Sequence, residues 1–249
     1  ESVMTAHSPG LWDRGSPLRV KLVGGELSSA SQTAVLNGAN AMAIGDGSGA
    51  NWEVFQFAEA QVVAPDTYEL SNRLRGQLGT DGIVPSAWPI GSTVVLLDLA
   101  LTQIDLASSS RGLARHYRIG VASRGFEDSS VTYRTEAFDG IGLRPYPIAH
   151  LHAADLAGDF LLTWKRRTRI DGDTWQSPEV PLGEDSEAYQ LRVIQASAIV
   201  AEYTVSQPEF IYTAAMRAMD GVSGSFEIAV AQLSTSFGPG PFRKLTLSA

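Results

Sequence analysis

Residues 226–249 read FEIAVAQLSTSFGPGPFRKLTLSA. The stretch divides into an apolar run at 226–233, a turn rich in Ser, Gly and Pro, and a second run at 242–247. In the first run Phe226, Ile228, Val230 and Gln232 fall on one face, because side chains along a strand alternate with period two. The turn Phe237-Gly-Pro-Gly-Pro is expected not to continue a ladder, since each proline removes a donor and each glycine loosens the backbone. In the second run Phe242, Lys244 and Thr246 alternate with Arg243, Leu245 and Leu247. This is a β-hairpin that closes a sheet domain.

Working back from that hairpin, evenly spaced strands are expected near 149–154, 160–165, 188–195, 200–205 and 209–213. With 226–233 and 242–247 they make seven strands in about a hundred residues, the count of an immunoglobulin-like sandwich. Trp164 ends the second of them, where an inward indole would fill the centre of the core. Tyr189, Leu191 and Val193 share one face of the third. The segment 212–221 (YTAAMRAMDG) reads as the crossing between sheets rather than a helical turn. Upstream, Gly140-Ile-Gly-Leu-Arg-Pro-Tyr-Pro places two glycines and two prolines in a short extended linker.

The first half is also expected to be all-β. Strands are read at 18–23, at 42–44 running into Gly45-Asp-Gly-Ser-Gly, and at 52–60. Trp52-Glu-Val-Phe-Gln-Phe-Ala-Glu-Ala carries bulk on both faces, which predicts a central strand covered on each side. Ala64-Pro-Asp-Thr signals a turn, and 68–70 the returning strand. A polar loop is expected around Gly76 and Gly79-Thr-Asp-Gly. Further strands are read at 94–101, 116–122 and 131–135, with a loop at 106–113. The domains expected are a lead-in over 1–17, a β-rich domain over 18–140, a linker over 141–148 and a sandwich over 149–249.

Composition narrows the function classes. The 249 residues are 44% hydrophobic and 18% charged, which supports real cores and excludes wholesale disorder. The net charge of −8 argues against a nucleic-acid surface, which needs a basic footprint. Lys165-Arg-Arg-Thr-Arg169 is the local exception and reads as an exposed strand end or loop. With no cysteine, disulfides, thiolate chemistry, iron–sulfur clusters and cysteine-ligated zinc are excluded. No run approaches the ~20 apolar residues of a membrane span; the most apolar, 94–101, is short and contains Asp98. The start at Glu1, without a signal pattern, reads as a piece of a longer polypeptide.

Candidate chemistry is sparse. Gly45-Asp-Gly-Ser-Gly follows a strand as a phosphate cradle would, but no Lys-Ser/Thr and no helix follow it, so it reads as a hairpin loop. Gly221-Val-Ser-Gly-Ser lacks the spacing of a nucleophile elbow. His150 and His152 would share one side of a strand and could hold a metal with Asp155, Asp159 or a remote residue as third ligand, but two polar side chains on a solvent-facing strand are the ordinary explanation. Asp171, Asp173, Glu179, Glu184, Asp185 and Glu187 offer carboxylates without a cleft to hold them as a glycosidase pair. Of five tryptophans, Trp175 and Trp88 are the candidates for surface platforms on which a sugar could stack. No cofactor, metal or catalytic residue is assigned, and the chain is expected not to be an enzyme.

Two stretches resemble known families. Trp164, Tyr189 and FEIAVAQLS followed by Gly238-Pro-Gly-Pro resemble the signature of a fibronectin type III domain, with Phe226 in place of the usual Tyr. WEVFQF at 52–57, followed by Tyr68-Glu-Leu-Ser-Asn-Arg-Leu-Arg-Gly-Gln-Leu-Gly-Thr-Asp-Gly, resembles the C-terminal part of the large tail-tip protein of alphaproteobacterial gene transfer agents and related siphophage-like tails. That second resemblance implies a structural component of a tail tip or baseplate. It implies a homotrimer around the tail axis, bound to other tail-tip proteins and able to contact a cell-surface glycan or receptor. It also implies a particle assembled in the bacterial cytoplasm and acting outside it. The competing reading is a carbohydrate-binding module using Trp175, Trp88 or the 165–169 run.

Overall fold

The computed structural model describes residues 1–49, 51–172 and 180–248. The chain forms two compact units, one comprising Glu1–Ala100 with Arg144–Ala249, the other Leu101–Leu143. Nearly all of its regular structure is antiparallel β.

In chain order the first part of the larger unit contains β1 (Met4–Thr5), β2 (Trp12–Asp13), β3 (Leu18–Lys21), α1 (Gln32–Leu36), β4 (Ala41–Gly45), β5 (Trp52–Ala64), β6 (Thr67–Gln77), β7 (Ala87–Trp88) and β8 (Thr93–Leu96). Its main sheet runs β2-β6-β5-β4-β8, and β3 joins β6 beside β2. Strand β6 is long enough to seat both partners on one edge, pairing Leu70 with Leu18 and Leu74 with Trp12. As expected, β5 is central. Phe55 and Phe57 enter a core with Met42, Ile44, Leu70 and Trp88. On the other face Ala58 packs with Val35 of α1 and Leu74. Ser31 caps α1 by accepting from the Ala34 N–H at 3.1 Å. The Gln56 amide, donating to Val35 O at 2.6 Å and Ala39 O at 2.8 Å, receives carbonyls at the end of that helix. Gly45 pairs with Trp52 across the glycine-rich loop, which is a hairpin connection as expected.

Two expectations fail here. Residues 71–77 are strand, not polar loop, because the arginines that made them look solvated are buried against carboxylates. The strand expected over 94–101 stops at Leu96, and Asp98 accepts from the Ala100 N–H at 3.0 Å in a local turn.

The smaller unit holds one ladder, β9 (Arg115–Ile119) against β10 (Thr132–Glu136). Within it Tyr117 meets the Phe138 ring edge-on at 5.9 Å.

The remaining elements are β11 (Ala149–Leu156), β12 (Asp159–Lys165), β13 (Tyr189–Gln195), β14 (Ala198–Val205), β15 (Glu209–Tyr212), α2 (Ala214–Met219), β16 (Ser225–Ser234), β17 (Gly238–Pro239) and β18 (Arg243–Ser248). Sheets β11-β12-β15 and β14-β13-β16-β18 form a fibronectin type III-like sandwich of seven principal strands. Its core contains Trp164, Tyr189, Leu191, Val193, Phe226, Ile228 and Val230, and the Trp164 and Tyr189 rings meet edge-on at 5.1 Å. The crossing at 212–221 contains a helix after all. Thr213 caps it by accepting from the Met216 N–H at 3.1 Å, and the Tyr203 and Tyr212 hydroxyls each donate to Asp220 at 2.7 Å. Burial and that carboxylate push Tyr203 up to about 12. The Gly-Pro turn also re-enters a ladder, contrary to expectation. Pro239 gives no donor, but the next residue does: Gly240 N–H donates to Gln232 O at 2.9 Å.

Candidate functional site

The segment 73–82, RLRGQLGTDG, is the place where polar chemistry is concentrated. Alternation along β6 sends Arg73 and Arg75 to the same face, and both are buried. Arg75 grips Glu53 of β5 in a bidentate pair, Nε to Oε1 at 2.6 Å and Nη2 to Oε2 at 2.8 Å. Its Nη1 donates to Thr5 O at 2.7 Å and to Asp13 at 3.3 Å. Glu53 also accepts from the Gly76 N–H at 3.1 Å and the Trp88 Nε1–H at 2.7 Å. Arg73 donates to Asp13 at 3.2 and 2.9 Å and to Leu70 O at 3.0 Å.

Two cations and two carboxylates thus neutralise one another between β2, β5 and β6. Burial pushes Asp13 up, but the Gly15 N–H and the two guanidiniums outweigh it and hold its pKa below 3.8. Buried ions carry a large desolvation cost, which only near-complete hydrogen bonding offsets. Here that bonding ties the lead-in strands, the central hairpin and Trp88 into one register. The arrangement fixes position; it contains no pair of nucleophile and base.

The turn after β6 continues the device. Gly76 and Gly79 adopt φ of +61° and +75°, and a Cβ on Gly76 would lie 2.6 Å from that of Asp81. A Cβ on Gly79 would run into the Tyr146 ring. Thr80 Oγ1 accepts from the Val54 N–H at 3.0 Å and donates to Gln77 O at 2.7 Å. This leaves the Asp81 carboxylate, 2% exposed, aimed at the sandwich. It accepts from Arg167 Nη1 at 2.9 and 3.0 Å and from Arg243 Nη2. The Arg167 guanidinium lies 5.4 Å from the Tyr146 ring centre. One carboxylate therefore receives both the loop that follows β12 and the start of β18.

The residues singled out in the sequence are distributed otherwise. Trp88, expected at the surface, is 4% exposed, because its indole N–H is needed by Glu53. Trp175, with Asp173 and Glu179, lies outside the described residues. His150, at a bulge with φ of +52°, and His152 are both exposed, while Leu151 and Ala153 between and beyond them pack on the sandwich core. In the run 165–169 Lys165 is exposed at the end of β12 and a loop follows, as expected, but the arginines of that loop are paired rather than free. Arg166 pairs with Glu187 at 2.9 Å, Arg167 with Asp81, and Arg169 with Glu184 at 3.2 Å. A groove of about 1130 Å³ borders this clasp, lined in part by Gln77, Tyr146, Arg167 and Arg169, and both of its guanidiniums already hold carboxylates. Among the described residues no three His, Cys, Asp or Glu side chains converge as a metal site, and no helix is long and apolar enough to cross a membrane.

Sequence reasoning missed Asp13, Glu53, Arg73, Arg75, Asp81 and Arg243. The available signal was the density of Arg, Gly and Asp in a stretch flanked by apolar strand residues, which is costly unless the charges are paired.

A search of curated proteins returned no match. Among solved structures, the extracellular region of rat CD45 (domains d3-d4) is similar at TM-score 0.32 and 11% identity, over 61% of this chain and 72% of that one. Residues 1–95, which contain the Asp13–Glu53–Arg73–Arg75 network and the Asp81 turn, match a family model described as Rcc01698-like, C-terminal.

Proposed function

We propose that this chain is a non-enzymatic structural component of a phage-like tail tip or baseplate, contributing to contact with a recipient cell. The observation that carries the reading is the match of residues 1–95 to the Rcc01698-like family. The fate of the charged residues in the matched stretch supports it. Arg73, Arg75 and Asp81 are all spent on internal pairing, so the segment serves construction rather than turnover. In this reading the chain stands as a homotrimer around the tail axis, beside other tail-tip proteins, in a particle built in the cytoplasm and acting outside the cell. Labelling an epitope at residue 249 and imaging purified particles tests it. Label at the distal end of the tail is expected; particles without label there, while the chain is expressed, would sink the proposal.

A further inference from the structure

The main sheet of the first domain ends in two edge strands, β3 and β8. They face each other across a recess of about 290 Å³, lined on one side by Leu18, Val20 and Lys21 and on the other by Ile44, Thr93 and Val94. The antiparallel steps β3–β6, β6–β5, β5–β4 and β4–β8 leave the two edges parallel to one another. One further strand can therefore run antiparallel to both.

Bonded and non-bonded pairs alternate along an antiparallel ladder. Just beyond β3 the Leu22 N–H donates to Asp66 O at 2.8 Å. In the same register Leu18 and Val20 turn their backbone groups to β6, while Arg19 and Lys21 turn theirs outward. At the end of β8 the Leu97 N–H donates to Ala41 O at 2.9 Å, so Val94 and Leu96 turn theirs away from β4. The outward groups of Arg19 are already taken: the Glu1 nitrogen donates to its carbonyl at 2.9 Å, and Ser2 Oγ accepts from its N–H at 2.8 Å. Those of Lys21, Val94 and Leu96 have no partner among the described residues. Edges left in this state are templates for another strand.

The walls of the recess decide what enters it. Rows of donors and acceptors on two sides are met by an extended backbone, not by a compact apolar ligand. Inward side chains on that backbone join the core of Leu18, Val20 and Ile44, against which Val94 and Leu96 pack, and so must be apolar. On the outward side Arg19 is held by Glu69 at 2.6 Å, whereas Lys21 is exposed and its ammonium has no carboxylate partner among the described residues. Opposite charges directly across a ladder attract. We propose that the slot between β3 and β8 receives an extended strand of a partner protein, antiparallel to both edges, apolar at alternate positions and acidic beside Lys21. The proposal rests on the reading of the chain as an assembling component and names the surface used and the kind of segment it holds.

Amide hydrogen exchange of the whole chain, followed by NMR, reads the slot directly. In the chain alone the amides of Lys21, Val94 and Leu96 are expected to exchange fast, and those of Val20 and Val95, bonded within the sheet, slowly. A blocked synthetic peptide of about seven alternating valines and glutamates is expected to slow the first three at least tenfold. The same peptide with its backbone amides N-methylated should slow none. Lys21→Glu, at an exposed side chain, should weaken the valine–glutamate peptide by up to about fivefold and favour a valine–lysine one. Slow exchange at the three amides without peptide, no protection at millimolar peptide, equal protection by the N-methylated peptide, or an unchanged preference in Lys21→Glu overturns the proposal. So does protection that rises with protein concentration alone, which means that a second copy fills the slot. Protected amides without label in particles leave the slot and remove the proposed function; label at the tail end with unprotected amides leaves the function and removes the slot.

Discussion

Glu53→Gln removes one charge from the centre of the first domain and leaves the shape nearly unchanged. Glu53 and Arg75 are both 0% exposed, and the carboxylate accepts four hydrogen bonds, two from Arg75 and one each from Gly76 and Trp88. In the variant, one side-chain oxygen becomes an amide nitrogen facing donors, and the Arg75 cation keeps only Asp13 at 3.3 Å as a carboxylate partner. Breaking a buried pair by removing one member costs about 3–5 kcal/mol, because the surviving charge stays desolvated. For a unit of about two hundred residues that corresponds to a melting temperature lower by roughly 6–20 °C. Urea denaturation followed by tryptophan fluorescence measures it, since Trp88 reports on the same network. A double-mutant cycle with Arg75→Met isolates the pair, and a coupling of about 2 kcal/mol or more is expected. A loss below about 1 kcal/mol, or additive single effects, would refute the account of Glu53 as the counter-charge that makes Arg75 tolerable in the core.

Asp81→Ala should cost about 1.5–3 kcal/mol, the range for hydrogen bonds to charged groups, since Arg167 and Arg243 are each 34% exposed and regain water in part. Hydrogen exchange should rise at 79–82 and 240–243 while the sandwich core stays protected. Trp164→Ala should cost about 3–5 kcal/mol and destabilise the sandwich first, leaving the β5–β6 hairpin protected in the same experiment. Acid should weaken the first domain. The pKa of Asp13 is lowered on folding, so its contribution is complete above the unfolded value of about 3.9 and is lost as pH falls through the lower folded value. Asp13→Asn should flatten that acid limb of a stability–pH profile; an unchanged profile below pH ~4 would show that Asp13 is not responsible.

The sandwich was the legible part of this chain. Its strands carry apolar residues at every second position, and Trp164 and Tyr189 bury without needing distant partners, so local periodicity and the inside of the fold coincide. The loop at 45–49 was legible for the same reason, because glycine and aspartate between two apolar runs specify a turn locally. Segment 71–82 was not. Its arginines look solvated to any reading based on polarity, yet Arg73 meets Asp13 60 positions away, and Asp81 meets Arg167 and Arg243 at separations of 86 and 162. Trp88 was misplaced for a related reason, since flanking Ala87 and Pro89 signal a loop while its indole answers Glu53, 35 positions earlier.

Taken alone, the amino-acid sequence determined the all-β class, the seven-strand closing module and its aromatic core, because hydrophobic alternation and turn residues act over neighbouring positions. Tertiary structure alone decided which charges are interior, that one carboxylate joins the 79–82 turn to the sandwich, and that 101–143 keeps its apolar side chains exposed. Those outcomes depend on desolvation and pairing between residues far apart in the chain, and no local pattern encodes the partner.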